Sequence, residues 1–126
     1  LTDVFTLHGD FETQPGSGSR SIDPEVRSRI DERLAIAAKA VQTLELDVDT
    51  AVSVDMSNLG EAAVVVIKTD QKVKARLTST DGATQAVPVD GVLILIAKAV
   101  GYTAIDLTRL PGTPTTARIF LAEKAP

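Results

Sequence analysis

The chain has 126 residues, of which 44% are hydrophobic and only 3% aromatic, with a net charge of −4 and no cysteine. That length suits one domain with a sizeable core, which Val, Ile, Leu and Ala must supply. The scarcity of rings disfavours carbohydrate or single-strand stacking surfaces, the acidic balance disfavours phosphate backbones and anionic membranes, and the missing cysteines exclude disulfides, thiolate metal sites and Cys nucleophiles.

Residues 1–13 alternate weakly, with Val4, Phe5, Leu7 and Phe11 among Thr, Asp and Glu. The opening LTDVFTLHGD has no basic stretch followed by an apolar one, so no signal peptide is expected. Gln14 to Ser21, QPGSGSRS, has the composition of a flexible loop. Residues 1–22 are therefore set apart as an N-terminal arm and loop, and 23–126 as a β-sandwich domain. An arm that reaches a neighbouring subunit and an ordinary edge strand fit 1–13 equally well.

Asp23 then offers an N-cap, Pro24 suits a first helical position, and Glu25 complements the helix dipole. Val26, Ile30, Leu34, Ala37 and Val41 recur at spacings of three and four, which predicts a helix over about residues 24–40. A strand competes for the same residues, because Leu34-Ala35-Ile36 and Val41 to Val48 also alternate.

From Leu44 the period is two. Leu44, Leu46 and Val48 face one way and Glu45, Asp47 and Asp49 the other, with Val52 and Val54 continuing the strand. Ala62 to Thr69 is nearly all apolar, as in a strand covered on both faces. Val73 to Thr78 alternates against Lys72, Lys74 and Arg76. Asp81-Gly82 signals a hairpin into Thr84 to Val89, where Pro88 marks an edge or a bulge. Asp90-Gly91 leads into Val92 to Lys98, expected as another buried strand. Its apolar part, Val92 to Ala97, is as long as any such run in the chain and is too short to cross a bilayer as a helix. Tyr102 to Arg109 and Thr115 to Ala122 complete the set, and Ile94 and Ile105 are both expected to point inward. Tight turns without helical crossovers imply antiparallel pairing. The expected fold is mainly β, an antiparallel β-sandwich of jelly-roll type.

The residues offer little chemistry. His8, the one histidine, has no nucleophile or metal-ligand partner at a diagnostic spacing. Glu45, Asp47, Asp49 and Asp55 form an acidic ladder that could hold a hard cation, yet no calcium-loop pattern accompanies it, and a solvated sheet face is the commoner meaning. Asp23 with Glu25, or Asp31 with Glu32, reads as capping and surface charge, not as an acid/base pair across a cleft. Gly16-Ser17-Gly18 lacks the Gly-Lys-Ser/Thr ending of a phosphate loop. The basic stripe Lys72, Lys74 and Arg76 would either meet an acidic partner or guard an edge strand. No enzyme activity, catalytic residue, metal or cofactor is expected.

The stretches KVKARLTSTDGATQAVPVDG (Lys72 to Gly91) and YTAIDLTRLPGTPTTARIFLAEK (Tyr102 to Lys124), with the opening His8 to Glu25, resemble small structural proteins of tailed bacteriophages. Thr103 to Arg109, Gly112-Thr113, Thr116 and Phe120-Leu121 carry most of the likeness. The resemblance implies a virion component without catalytic residues: a capsid decoration (cement) protein, or else a tail, baseplate or connector subunit. It also implies self-association, as a homotrimer, and contact with other virion proteins such as the major capsid protein. Nucleic acid, membrane and small-molecule substrates are not expected partners. A host receptor or glycan-binding module is the reading from another class, and the shortage of aromatics counts against it.

Overall fold

The computed structural model describes residues 3–13, 26–56 and 58–126, and among these it contains strands and no helix. The chain divides into two compact units, Leu1–Ala35 and Ile36–Pro126. The first holds β1 (Asp3–Thr13) and the opening part of β2 (Val26–Leu46), neighbours in the hydrogen-bonded order. The second holds the rest of β2 and β3 (Val52–Ser53), β4 (Val64–Thr69), β5 (Val73–Ser79), β6 (Thr84–Val89), β7 (Val92–Ile96), β8 (Tyr102–Arg109) and β9 (Thr115–Lys124).

Within the second unit one sheet runs β2-β9-β4-β7 and the other β3-β8-β5-β6, with every recorded pairing antiparallel. Each connection from β2 onward passes from one sheet to the other, except the β5–β6 hairpin. This strand order is that of a jelly roll, two interleaved Greek keys closed into a double layer. The sandwich expected from the tight turns is therefore present, and Thr84 to Val89 and Tyr102 to Arg109 are strands over those very residues.

The core lies between the sheets and is aliphatic. Leu46, Ile67, Leu77, Ile105, Leu107, Ile119 and Leu121 are fully buried, with Val65, Val73 and Val89 among them. Each such side chain removed from water is worth roughly 1.5–3 kcal/mol, so the shortage of aromatic rings leaves no deficit in the core. The hairpin turns where expected: Ser79 N–H donates to Ala83 O at 2.9 Å, and Gly82 sits at φ +89°, open to glycine at no steric cost.

Three expectations need correction. Residues 26–46 form strand, so the helix over about 24–40 is not there; Asp23, Pro24 and Glu25 lie outside the described residues. Alternation decided it. Beyond a bulge between Ile36 and Ala38, the residues Ala38, Ala40, Gln42, Leu44 and Leu46 form one face, buried or half-buried, while Val41, on the supposed apolar face of the helix, is 75% exposed. A ladder from Ile36 to Leu46 along β9 outweighs the helix propensity of the alanines. Second, β2 ends at Leu46, so Asp47 and Asp49 belong to a loop and do not extend the acidic strand face. Third, β7 is an edge strand, and Ile94 faces outward at 42% exposure, whereas Ile105 is buried as expected.

Candidate contact surfaces

The sandwich presents two outer faces, one for each sheet. On the β3-β8-β5-β6 sheet, one register row reads Ser53, Asp106, Arg76, Ala86, and the next reads Thr108, Lys74, Pro88. Ser53 Oγ donates to Asp106 Oδ1 at 2.8 Å. This is an ordinary wet face. The basic stripe thus resolves into Lys74 and Arg76 on the outside of β5, with Lys72 just ahead of the strand. Because β5 lies between β8 and β6, the stripe guards no edge.

On the β2-β9-β4-β7 sheet the central row reads Val41, Phe120, Val66, Ile94 across all four strands. Val41 and Ile94 are exposed, and Phe120 and Val66 are half-buried. The row on one side, Thr43, Arg118, Lys68 and Val92, sets two exposed cations beside another exposed valine; the row on the other side reads Lys39, Ala122, Val64 and Ile96, of which Ala122 and Val64 are buried. Period-two patterning thus places apolar residues on both faces of this sheet. Exposed apolar patches with charged borders mark interaction sites in soluble proteins.

The loops gather at the two ends of the sandwich. At one end Asp49 accepts hydrogen bonds from Arg109 Nε at 2.9 Å and from Gly112 N–H at 3.0 Å. These donors hold its carboxyl below the ordinary value, the Gly112 amide first and the Arg109 guanidinium second. At the other end Glu61 accepts from the N–H of Gly101 at 2.5 Å, and Ala62 and Tyr102 exchange backbone bonds at 2.8 and 2.9 Å.

The acidic ladder comes apart into structural roles. Glu45 accepts from Thr116 Oγ1 at 2.9 Å, Asp49 ties two loops, and the backbone of Asp55 meets the Gln42 amide at 2.6 and 3.1 Å. Among the described residues no cluster of three metal-ligating side chains occurs. His8, Asp31 and Glu32 lie on strand backbone whose side chains are outside the description, and Gly16, Ser17 and Gly18 are outside it altogether. A shallow cleft of about 400 Å³ opens beside Lys72, Lys74, Pro88, Thr108, Leu110 and Pro111. Its walls are mainly apolar and carry no carboxylate or histidine, so it offers a nook for contact and no acid/base pair.

The features missed by pattern reading are the apolar outer face and the bare β7 edge. Their signal was present in the continuous runs Ala62 to Thr69 and Val92 to Ala97, which read equally well as strands covered within one chain. No protein-family model, curated protein or solved structure matches this chain.

Proposed function

We propose that the chain is a structural component of a tailed-phage virion, a capsid decoration (cement) protein that stabilises the shell by contacts between subunits. Its partners in this reading are further copies of itself and other virion proteins such as the major capsid protein. The observation that carries it is the outer row Val41, Phe120, Val66 and Ile94, an apolar row bordered by Arg118 and Lys68 on the outer face of one sheet. A rigid sandwich with one adhesive face suits work by contact, and repeated weak contacts over a lattice multiply affinity. The likeness of Lys72 to Gly91 and Tyr102 to Lys124 to phage structural proteins supports the same role.

Quantification of the chain in purified particles tests the proposal. A decoration role requires a copy number on the scale of the capsid subunits. A number matching one small ring moves the chain to the tail or baseplate, and absence from washed particles overturns the virion role. If the chain decorates shells, Val41→Asp is expected to abolish rebinding to stripped shells while leaving the circular dichroism spectrum unchanged, since Val41 is 75% exposed.

A further inference from the structure

Away from β2, the sheets of the second unit end in β3, β6 and β7, and the three edges differ. β3 is only 2 residues long. β6 carries Pro88, and the bonding pattern set by Ser79 and Ala83 turns Pro88 nitrogen to the open side, where its missing N–H costs no ladder bond and blunts the edge. β7 has no such device. It reads VLILI, without charge or proline.

The backbone of β7 is directed by its bonds to β4. Ala97 N–H donates to Ala63 O at 2.7 Å, and Gly91 O accepts from Thr69 N–H at 2.8 Å. With the register Val65 to Leu95 and Ile67 to Leu93, the amides and carbonyls of Leu93 and Leu95 face β4. Those of Val92, Ile94 and Ile96 therefore face outward, where no strand lies among the described residues. Leu93 and Leu95 point into the sandwich yet remain only half-buried, as expected where the double layer stands open.

We propose that β7 pairs antiparallel with β7 of a second copy of this chain, about a two-fold axis at Ile94. That axis sets Ile94 opposite Ile94 of the partner subunit, Val92 opposite Ile96 and Leu93 opposite Leu95, so every opposed pair is apolar. The residues whose backbone groups face outward then fall in the hydrogen-bonded positions of the new ladder, and none is left without a partner. Just beyond the strand the same axis brings the loop residues Asp90 and Lys98 to the same side at both ends, opposite charges on residues exposed in the single chain. A second copy is the occupant because Val92 to Ile96 complements its own reverse in backbone and side chain, and the flanking Asp90 and Lys98 complement each other in charge. The joined sheets also run the row Val41, Phe120, Val66, Ile94 on into its symmetry mate. Such a contact is isologous and supplies a two-fold; a trimer needs a separate head-to-tail contact. The pairing rests on the geometry of β7 and stands apart from the virion reading.

Sedimentation velocity and light scattering of the full chain over a wide concentration range test it. The expected result is a dimer that dissociates on dilution. Ile94→Lys, at an exposed position, is expected to give a folded monomer. Asp90→Lys and Lys98→Asp are each expected to raise the dimer Kd by roughly tenfold or more, and the double swap to restore it. A chain that is monomeric at every concentration, a folded Ile94→Lys variant that still dimerises as before, or a double swap without recovery overturns the proposal. If Ile94→Lys fails to fold, the charge-swap set decides alone.

Discussion

Asp49 and Gly112 lie in loops at the same end of the sandwich, and the Asp49 carboxylate accepts the Gly112 N–H at 3.0 Å while Gly112 holds φ +71°. The bond ties the crossover after β2 to the turn between β8 and β9, and Arg109 Nε clamps the same oxygen at 2.9 Å. Asp49→Ala is expected to lower the Tm slightly without altering the circular dichroism spectrum, because the Asp49 carboxylate is exposed, although Arg109 beside it is largely covered.

The same bond sets a pH dependence. Asp49 is held below its ordinary value of 3.8 by the Gly112 amide and then Arg109, and Asp81 below 3.8 by the Ser79 hydroxyl and then the Ala83 amide. A carboxyl with a depressed folded value stabilises the fold above the unfolded value and loses that contribution as pH falls through the folded one. Urea midpoints are therefore expected to be insensitive to these groups at neutral pH and to drop below about pH 4. In Asp49→Asn combined with Asp81→Asn, the part of that drop due to these two groups should vanish.

Ile94 and Ile105 separate the two faces of the apolar strands. Ile105 is 1% exposed in the core and Ile94 42% exposed on the outer face. Ile105→Asp is expected to prevent folding, since it buries a charge without a partner, and Ile105→Ala to cost about 2–5 kcal/mol in a denaturant melt. Ile94→Asp should leave a folded chain. Equal behaviour of the two Asp variants in circular dichroism would contradict the assignment of the faces.

That contrast marks how far the fold was legible. Alternation in Val73 to Ser79 and Tyr102 to Arg109, and the Asp81-Gly82 turn, specify strands with one wet side, because a period of two fixes which residues share a face. Runs such as Val64 to Ile67 and Val92 to Ile96 carry no alternation, so their sequence leaves open which sheet covers them and whether they lie centrally. The pairing order decides: among the described residues β4 is flanked by β9 and β7, and β7 by β4 alone. Residues 26–46 failed for another reason. Alanine and spaced aliphatics satisfy both periods, and only long-range pairing, invisible in local sequence, chooses between them: the ladder to β9 from Ile36 onward, with β1 the neighbour on the other side of β2. The outer apolar row was unreadable for the same cause, since Val41, Phe120, Val66 and Ile94 meet only through strand pairing.

Thr69 offers a test in the stabilising direction. Its hydroxyl is buried and makes no hydrogen bond, although the residue continues the inward-facing set of β4. A buried polar atom without a partner costs free energy that an apolar isostere avoids. Thr69→Val is expected to leave the fold intact and to raise stability by about 1 kcal/mol in urea. A loss of similar size would show that the hydroxyl is satisfied in solution.

Gly101 and Gly82 are both in loops at the end away from Asp49, but for different physical reasons. Gly82 has φ +89° and open space around its Cα, so any residue tolerant of the left-handed region fits there. Gly101 has no such backbone demand. A Cβ on it would lie 2.6 Å from Ala62 O and 2.5 Å from Glu61 Cγ. Ala62 cannot retreat, because it is bonded in both directions to Tyr102, and Glu61 can swing aside only by releasing the Gly101 N–H. Gly101→Ala is therefore expected to cost about 1–3 kcal/mol, in the range of overpacking. Asn, which enters the left-handed region more readily than other side chains, discriminates the two sites: Gly82→Asn should be nearly neutral in a urea melt, and Gly101→Asn should destabilise at least as much as Gly101→Ala. Equal tolerance at both positions would mean that the Glu61–Gly101 contact yields in solution and does not hold the β3–β4 connection against the start of β8.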